Sequence, residues 1–359
     1  MKLQHMLELT QELINARGPC GHEEEVRRIV VRELENVCDE VSVDDCRNAV
    51  GLIRGAGKSG RKNSAPIIRV MAHMDELSLI VKRVEDNGTL RVQPLGGIYP
   101  YVFGLGPVEI IGDERIIPGV LSVGSQHTTA ESPASWRSKP HGEGKTLDWP
   151  QVYVFTRMSP EQLKEAGVHA GSRVVIAQSS RKLMEIGDCI GGYFLDDRVC
   201  LTIMLAAASI LKEEKKRPVA DVYLVGTCVE EIGGGGALYA SRTLPGSVSL
   251  AIDVGPVARE YGTQLNDEPI IVYKDLRGLY TKSVCDRMLA VGRELGMDPQ
   301  CATWESYGSD ASMSLVSGQT AAAGLLCIPT ENTHGYEIVP RGAIETCARL
   351  LAAYLAAPV

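Results

Sequence analysis

Seven acid and imidazole side chains in this sequence have the types and company to do chemistry together. His73 and Asp75 stand in AHMDE, Asp196 in FLDDR, Glu230 and Glu231 in CVEEIGGGG, Asp253 in LAIDVG and His334 in TENTHGYE. One bridging carboxylate, two more carboxylates and two imidazoles are what a pair of hydrolytic metal ions requires. The remaining two acids, Asp75 and Glu230, sit beside ligand candidates, as an orienting group and a general base would.

Taken singly, each motif has an ordinary structural explanation. HxD reads as a strand-end turn. An acid before an apolar helix, as at Asp196-Asp197-Arg198, is a good N-cap. A histidine in a Thr/Asn/Gly stretch is usually surface. Three acid-bearing strand ends in one sheet, at His73/Asp75, Glu230/Glu231 and Asp253, shift the balance towards a site, because open α/β sheets place ligands at the carboxyl ends of their strands. A metal-bound imidazole also needs its other ring nitrogen held, and an acid two residues on could hold it. The glycines after Glu231 allow a tight turn. They are no phosphate loop, since GK[ST] and GxGxxG are both missing. A glycosidase built on Glu230 and Glu231 would leave His73, Asp196 and His334 without work.

The elements that must position these residues fall into three stretches. The N-terminal stretch reads as two amphipathic helices, a hairpin over VSVDDCRNAVGLIRG and an apolar strand through APIIRVMAHMDE. On that strand His73 and Asp75 would face one side. From about residue 77 to 177, short alternating runs between Gly and Pro turns predict a small β-rich, barrel-like domain. Its polar run, residues 125–149, reads as an exposed loop, and His127 within it is the one other histidine worth following. After residue 188 helices and strands alternate again, ending in a helix over RGAIETCARLLAAYLAA. The expected architecture is an α/β domain, residues 1–76 plus 178–359, interrupted by a β-rich insert at 77–177.

Composition narrows the function further. The chain has 359 residues, 44% of them apolar, with a formal net charge of −8 and no long basic run. Nucleic acid and anionic membrane are poor partners for it, and no stretch approaches the ~20 apolar residues that span a bilayer. Ten cysteines are scattered, several inside apolar runs, as buried reduced thiols would be. That places the protein in the cytoplasm by expectation.

The ordered set AHMDE, LDDR, VEEIGGGGA, IDVG, YGSDA and a late TH resembles the tetrahedral aminopeptidases, family forty-two of the metallopeptidases. The resemblance implies a mixed-sheet α/β/α zinc-peptidase-like domain with an inserted β domain that pairs subunits, in dimers or hollow dodecamers. It implies two divalent metal ions, zinc or cobalt first and manganese next. His73 and Asp253 would complete one ion's ligands, Glu231 and His334 the other's, and Asp196 would bridge. Asp75 would orient His73, and Glu230 would be the general base in trimming short peptides from the N-terminus. All seven positions carry the expected residue type, which argues against a scaffold that has lost its chemistry. Around the late histidine the sequence departs from the family, reading Glu331-Asn332-Thr333-His334-Gly335-Tyr336, and the insert's polar loop is long. Those departures keep open an amidohydrolase or deacylase acting on a small dipeptide-like metabolite.

Overall fold

The computed structural model describes residues 1–57, 65–125, 127–129, 131 and 146–356. The chain divides into two units, Met1–Glu76 with Leu183–Thr333 and Glu337–Val359, and Leu77–Lys182 with His334–Tyr336. Strands β1 (Glu40–Val43), β2 (Ala49–Ile53) and β3 (Ile68–His73) come first. The second unit supplies β4 (Ser78–Val84), β5 (Leu90–Leu95), β6 (Gly106–Ile111), β7 (Ile116–Ser122), β8 (Tyr153–Phe155) and β9 (Arg173–Ile176). Beyond it run β10 (Met184–Ile186), β11 (Cys189–Tyr193), β12 (Val222–Thr227), β13 (Val248–Pro256), β14 (Ile270–Lys274), β15 (Gln300–Thr303), β16 (Ala322–Thr330) and β17 (Tyr336–Pro340).

The first unit is built on an eight-stranded sheet of order β1-β2-β12-β3-β13-β16-β14-β15. Its centre, β12-β3-β13-β16, is parallel. The β1–β2 hairpin and β14 join it antiparallel, so the sheet is mixed. Successive residues on the central strands go to opposite faces. Val70, Ala72 and Leu224 enter the large apolar cluster, while Met71 and Val225 enter a smaller one with Val50, Ala237 and Ala240. A sheet that is apolar on both faces needs covering on both. The helix Leu195–Glu213 lies in the large cluster, and Ala237 and Ala240 of the helix Gly235–Thr243 lie in the small one. The second unit is a closed barrel in the order β4-β5-β8-β7-β6-β9, with antiparallel pairings. Strand β7 shows the alternation that filled barrels require, with Ile117, Gly119 and Leu121 in and Ile116 and Val120 out.

Most expected elements are present, with instructive differences at their ends. Strand β12 stops at Thr227, not at the glutamates, and β3 stops at His73. Strand β13 runs three residues past Asp253. The small sheet β10-β11-β17, strand β15 and the helix Asp310–Val316 carry no periodicity long enough to announce them. Most of the polar segment 125–149 lies outside the described residues; His127, which is described, is exposed.

The four glycines after Glu231 do separate jobs. Gly233 and Gly234 have φ of 132° and 66°, in the region that favours glycine. Gly235 has open space around it, but a methyl on Gly236 would lie 2.4 Å from Asn48 Oδ1 and 2.5 Å from the Cys228 carbonyl oxygen. The helix therefore starts against the backbone leading to the glutamates. Gly236→Ala should destabilise the protein by about 1–3 kcal/mol, whereas Gly235→Ala should change stability by less than about 1 kcal/mol. Thermal unfolding of the two variants under one scan rate checks this; equal midpoints would refute the close-packing account.

Candidate metal centre

The centre starts from one rung of the sheet. In the β12–β3 ladder Thr227 lies opposite His73. In the β3–β13 ladder Met71 lies opposite Ala251, so two residues on His73 and Asp253 are level. Level residues on neighbouring strands point to the same face, which brings the imidazole and the carboxylate together. The helix Leu195–Glu213 adds two acids at its start, where Asp196 and Asp197 leave helical geometry. No side-chain cap hydrogen bond is formed at Phe194, the residue before this segment. Asp196 Oδ1 lies 3.0 Å from His73 Nε2. Asp197 Oδ2 accepts the His73 backbone N–H at 2.9 Å. His73, Asp196, Asp197 and Asp253 are all buried, and they present ligand atoms within 4.8 Å of one another.

Asp75 works from just beyond β3. Its carbonyl oxygen lies 3.1 Å from His73 Nδ1, and its carboxylate Oδ1 lies 3.5 Å from the same nitrogen. The same carboxylate accepts the backbone N–H of Glu230 at 2.9 Å and of Glu231 at 3.2 Å. Consecutive amides on a strand point apart and could not share one acceptor. Here Val229 adopts φ 59°, a conformation costly for a β-branched residue, and turns the chain after β12. The buried ion pair Arg198 Nη2–Glu76 Oε2, at 2.7 Å, braces the chain on the far side of Asp75, and Arg198 Nη1 also donates to the Met74 carbonyl.

Six of the seven expected residues thus lie in the first unit, with His73, Asp196 and Asp253 in one cluster and Glu230 and Glu231 tied to Asp75. His334 belongs to the second unit. There it has φ 66°, and its Nδ1 is 2.8 Å from the Gly97 carbonyl oxygen. Asp197, which the sequence offered only as a possible cap, is a full member of the cluster. Sequence reasoning also passed over Glu337, whose carboxylate accepts the Asp196 N–H at 2.8 Å. Asp310, in the YGSDA motif, accepts the Thr227 hydroxyl, and its other oxygen is buried with no hydrogen-bond partner among the described residues. Tyr307 of that motif donates to the Val254 carbonyl at 2.8 Å, beside Asp253.

Negative charge outweighs positive in the cluster. Burial, then repulsion from Asp253, pushes the Asp197 carboxyl well above its usual range. Burial and repulsion from Asp196 do the same to Asp253. Burial opposes a charged His73, but the neighbouring Asp197, Asp196 and Asp75 outweigh it and raise the imidazole. Asp75 goes the other way: burial works against its charge, but His73, the Glu230 N–H and the Cys20 thiol hold it ionised. Asp197 Oδ1 is buried without a hydrogen-bond partner among the described residues. An imidazole and three carboxylates, one with an oxygen that has no hydrogen-bond partner among the described residues, form a donor set that suits a divalent cation.

The chain matches the M42 glutamyl aminopeptidase family over residues 53–350. The lysyl aminopeptidase of Pyrococcus furiosus is 32% identical over 267 residues, covering 74% of this chain and 69% of its own. Among solved structures, the aminopeptidase APDkam598 from the archaeon Desulfurococcus kamchatkensis superposes with a TM-score of 0.86 at 26% identity, over 99% of this chain and 95% of its own. The Pyrococcus horikoshii TET1 peptidase shares the fold, with a TM-score of 0.81 at 20% identity over 98% and 99% of the two chains.

Charge crowding has a consequence for stability. Asp197 and Asp253 are raised, Asp310 is raised to about 6 by burial, and His73 is raised too. In every case the folded protein holds a proton that the unfolded chain has released, so metal-free stability falls as pH rises from near ~4 through about 6 and beyond. A bound cation replaces those protons. The rise in melting temperature on adding zinc to chelator-stripped protein should therefore be larger at pH 8 than at pH 5. A rise independent of pH would contradict this electrostatic picture.

Proposed function

The chain belongs to the M42 glutamyl aminopeptidase family, a family of peptide-bond hydrolases, and on that premise we propose that it is a dinuclear metal-dependent aminopeptidase acting on short peptides. The observation that carries the reading is the buried His73–Asp196–Asp197–Asp253 cluster on the strand rung, within the matched residues. In the proposal His73, Asp196 and Asp253 hold one divalent ion, and Asp196, Glu231 and His334 hold the other. Zinc and cobalt fit best, and manganese is the third candidate. Once bound, such ions acidify water and polarise a carbonyl oxygen.

Glu230 is the proposed general base. Burial, with repulsion from Asp310, Glu231 and Asp253, raises its carboxyl well above the usual range in the metal-free centre. It takes a proton from the attacking water and delivers it to the leaving amine. Asp75 holds the Glu230 amide and so fixes where that carboxylate starts. The acids around His73 offer the substrate's free ammonium group a favourable field. No observation favours the deacylase reading, and the relatives are aminopeptidases. The family's name says glutamyl and the Pyrococcus furiosus relative is lysyl, so the preferred N-terminal residue is left to measurement.

Self-association through the barrel unit belongs to the same proposal. That unit exposes Tyr99, Tyr101, Ile116, Val120 and Phe155, and the TET1 peptidase can assemble into a tetrahedron or a large octahedral shell. A dimer is the proposed minimum and a dodecamer the proposed full assembly. No helix among the described residues is long and apolar enough to cross a membrane, and all ten cysteines are free, which supports a cytoplasmic setting.

Two measurements test this reading. Chelator-stripped protein, reloaded with zinc, cobalt or manganese, should release single N-terminal residues from aminoacyl-nitroanilides and short peptides. Glu230→Gln should keep the metal content and lose turnover by at least ~1000-fold; retained turnover would reject the base. Light scattering should give a multiple of the subunit mass, and a monomer at micromolar concentration would sink the assembly.

A further inference from the structure

The loop between the first two helices (Leu3–Asn15 and Glu24–Val37) crosses the exit of β3. Pro19 bridges to Glu76, and the Glu76 N–H donates to the Gly18 carbonyl at 2.8 Å. A methyl on Gly18 would lie 2.5 Å from Arg198 Nη2 and 3.0 Å from the Met74 carbonyl oxygen, so only glycine lets the loop come this close. That approach places Cys20, fully buried, with Sγ 3.2 Å from Asp75 Oδ2 and 3.7 Å from the Glu76 carbonyl oxygen.

We propose that Cys20 is a positioning residue for the hydrolytic reaction: its thiol donates a hydrogen bond to the Asp75 carboxylate and fixes the rotation at which Asp75 holds the Glu230 and Glu231 amides. The inference rests on the roles of Glu230 as base and Glu231 as ligand given above. A carboxylate can accept about four hydrogen bonds. Asp75 receives two from consecutive amides and faces His73 Nδ1. Oδ2 carries the longer amide bond, to Glu231 at 3.2 Å, and it is the oxygen that Cys20 meets. Burial and the nearby charges of Asp75, Glu231 and Glu23 raise the thiol far above its ordinary range, so the sulfur keeps the hydrogen that it donates. A thiolate there would repel the carboxylate instead.

The test uses full-length enzyme carrying Cys20→Ala, Cys20→Ser, Asp75→Ala, or both alanines. Metal affinity is measured by zinc titration, and kcat and KM with an aminoacyl-nitroanilide. Cys20→Ala should lower kcat about 3- to 10-fold with KM unchanged and weaken zinc binding by a similar factor. Cys20→Ser, which keeps a donor, should come within about twofold of the parent. In the Asp75→Ala background the cysteine substitution should cost nothing more, since its partner has gone. If Cys20→Ala matches the parent, if Cys20→Ser is as impaired as alanine, or if the two alanine effects multiply, the thiol does not act through Asp75. Loss of metal-dependent peptidase activity from the parent protein itself would instead reject the function on which the inference rests.

Discussion

Negative charge buried around a single imidazole is the constraint on which the centre depends. Burying an uncompensated carboxylate is costly, and this cluster buries Asp196, Asp197 and Asp253 against His73. The chain compensates part of the charge with its own backbone. The His73 N–H serves Asp197, and the Val254 N–H serves Asp253 at 2.7 Å. Asp75 is fully supplied in this way and stays ionised, while Asp197 and Asp253 are not and stay raised. The difference sorts the acids. Asp75, satisfied by protein donors, positions other groups; Asp253, left short, is one that a cation would complete.

Rigidity comes from the way the acids are anchored. His73 and Asp253 each lie two residues beyond the last paired rung of neighbouring parallel strands, Met71 with Ala251, so the backbone brings them to one end of the sheet. Asp196 and Asp197 are held by a helix whose residues from Leu195 to Ala208 are all buried. The turn carrying Glu230 and Glu231 is trapped between the Asp75 carboxylate before it and the closely packed Gly236 after it. The Arg198–Glu76 pair adds little net stability for its burial, as such pairs commonly do. It does bind the residue after Asp75 to the residue after Asp197, which links the two acid-bearing segments.

Much of this was legible in the sequence. Acids at the ends of apolar runs marked His73, Glu230, Glu231 and Asp253, and the change of period at residue 77 marked the barrel. The differences in detail share one physical cause, that strands end before their apolar patterns do. Alternation placed His73 and Asp75 on one face; Asp75 lies past the end of β3, and its carbonyl oxygen is the atom nearest His73 Nδ1. The turn expected at Glu230 and Glu231 comes early, and the left-handed Val229 aims both amides at one carboxylate. Glu337, Asp310 and Cys20 were hidden because each acts on a residue more than fifty positions away and carries no local pattern.

The two proposed histidine ligands show how differently built segments reach the same chemistry. His73 ends a buried strand, and His334 sits on a left-handed loop residue in the other unit. In each ring Nδ1 faces a backbone carbonyl oxygen, that of Asp75 at 3.1 Å and that of Gly97 at 2.8 Å. A carbonyl can only accept, so Nδ1 must carry the hydrogen in both. Once His73 gives up the second proton that its acid neighbours favour, each neutral ring has its lone pair on Nε2, the form a metal requires. Backbone carbonyls serve this purpose better than carboxylates in a site already rich in acid, because they fix the tautomer without adding charge. The abundance of carboxylates around His73 therefore does not have to supply its orienting partner.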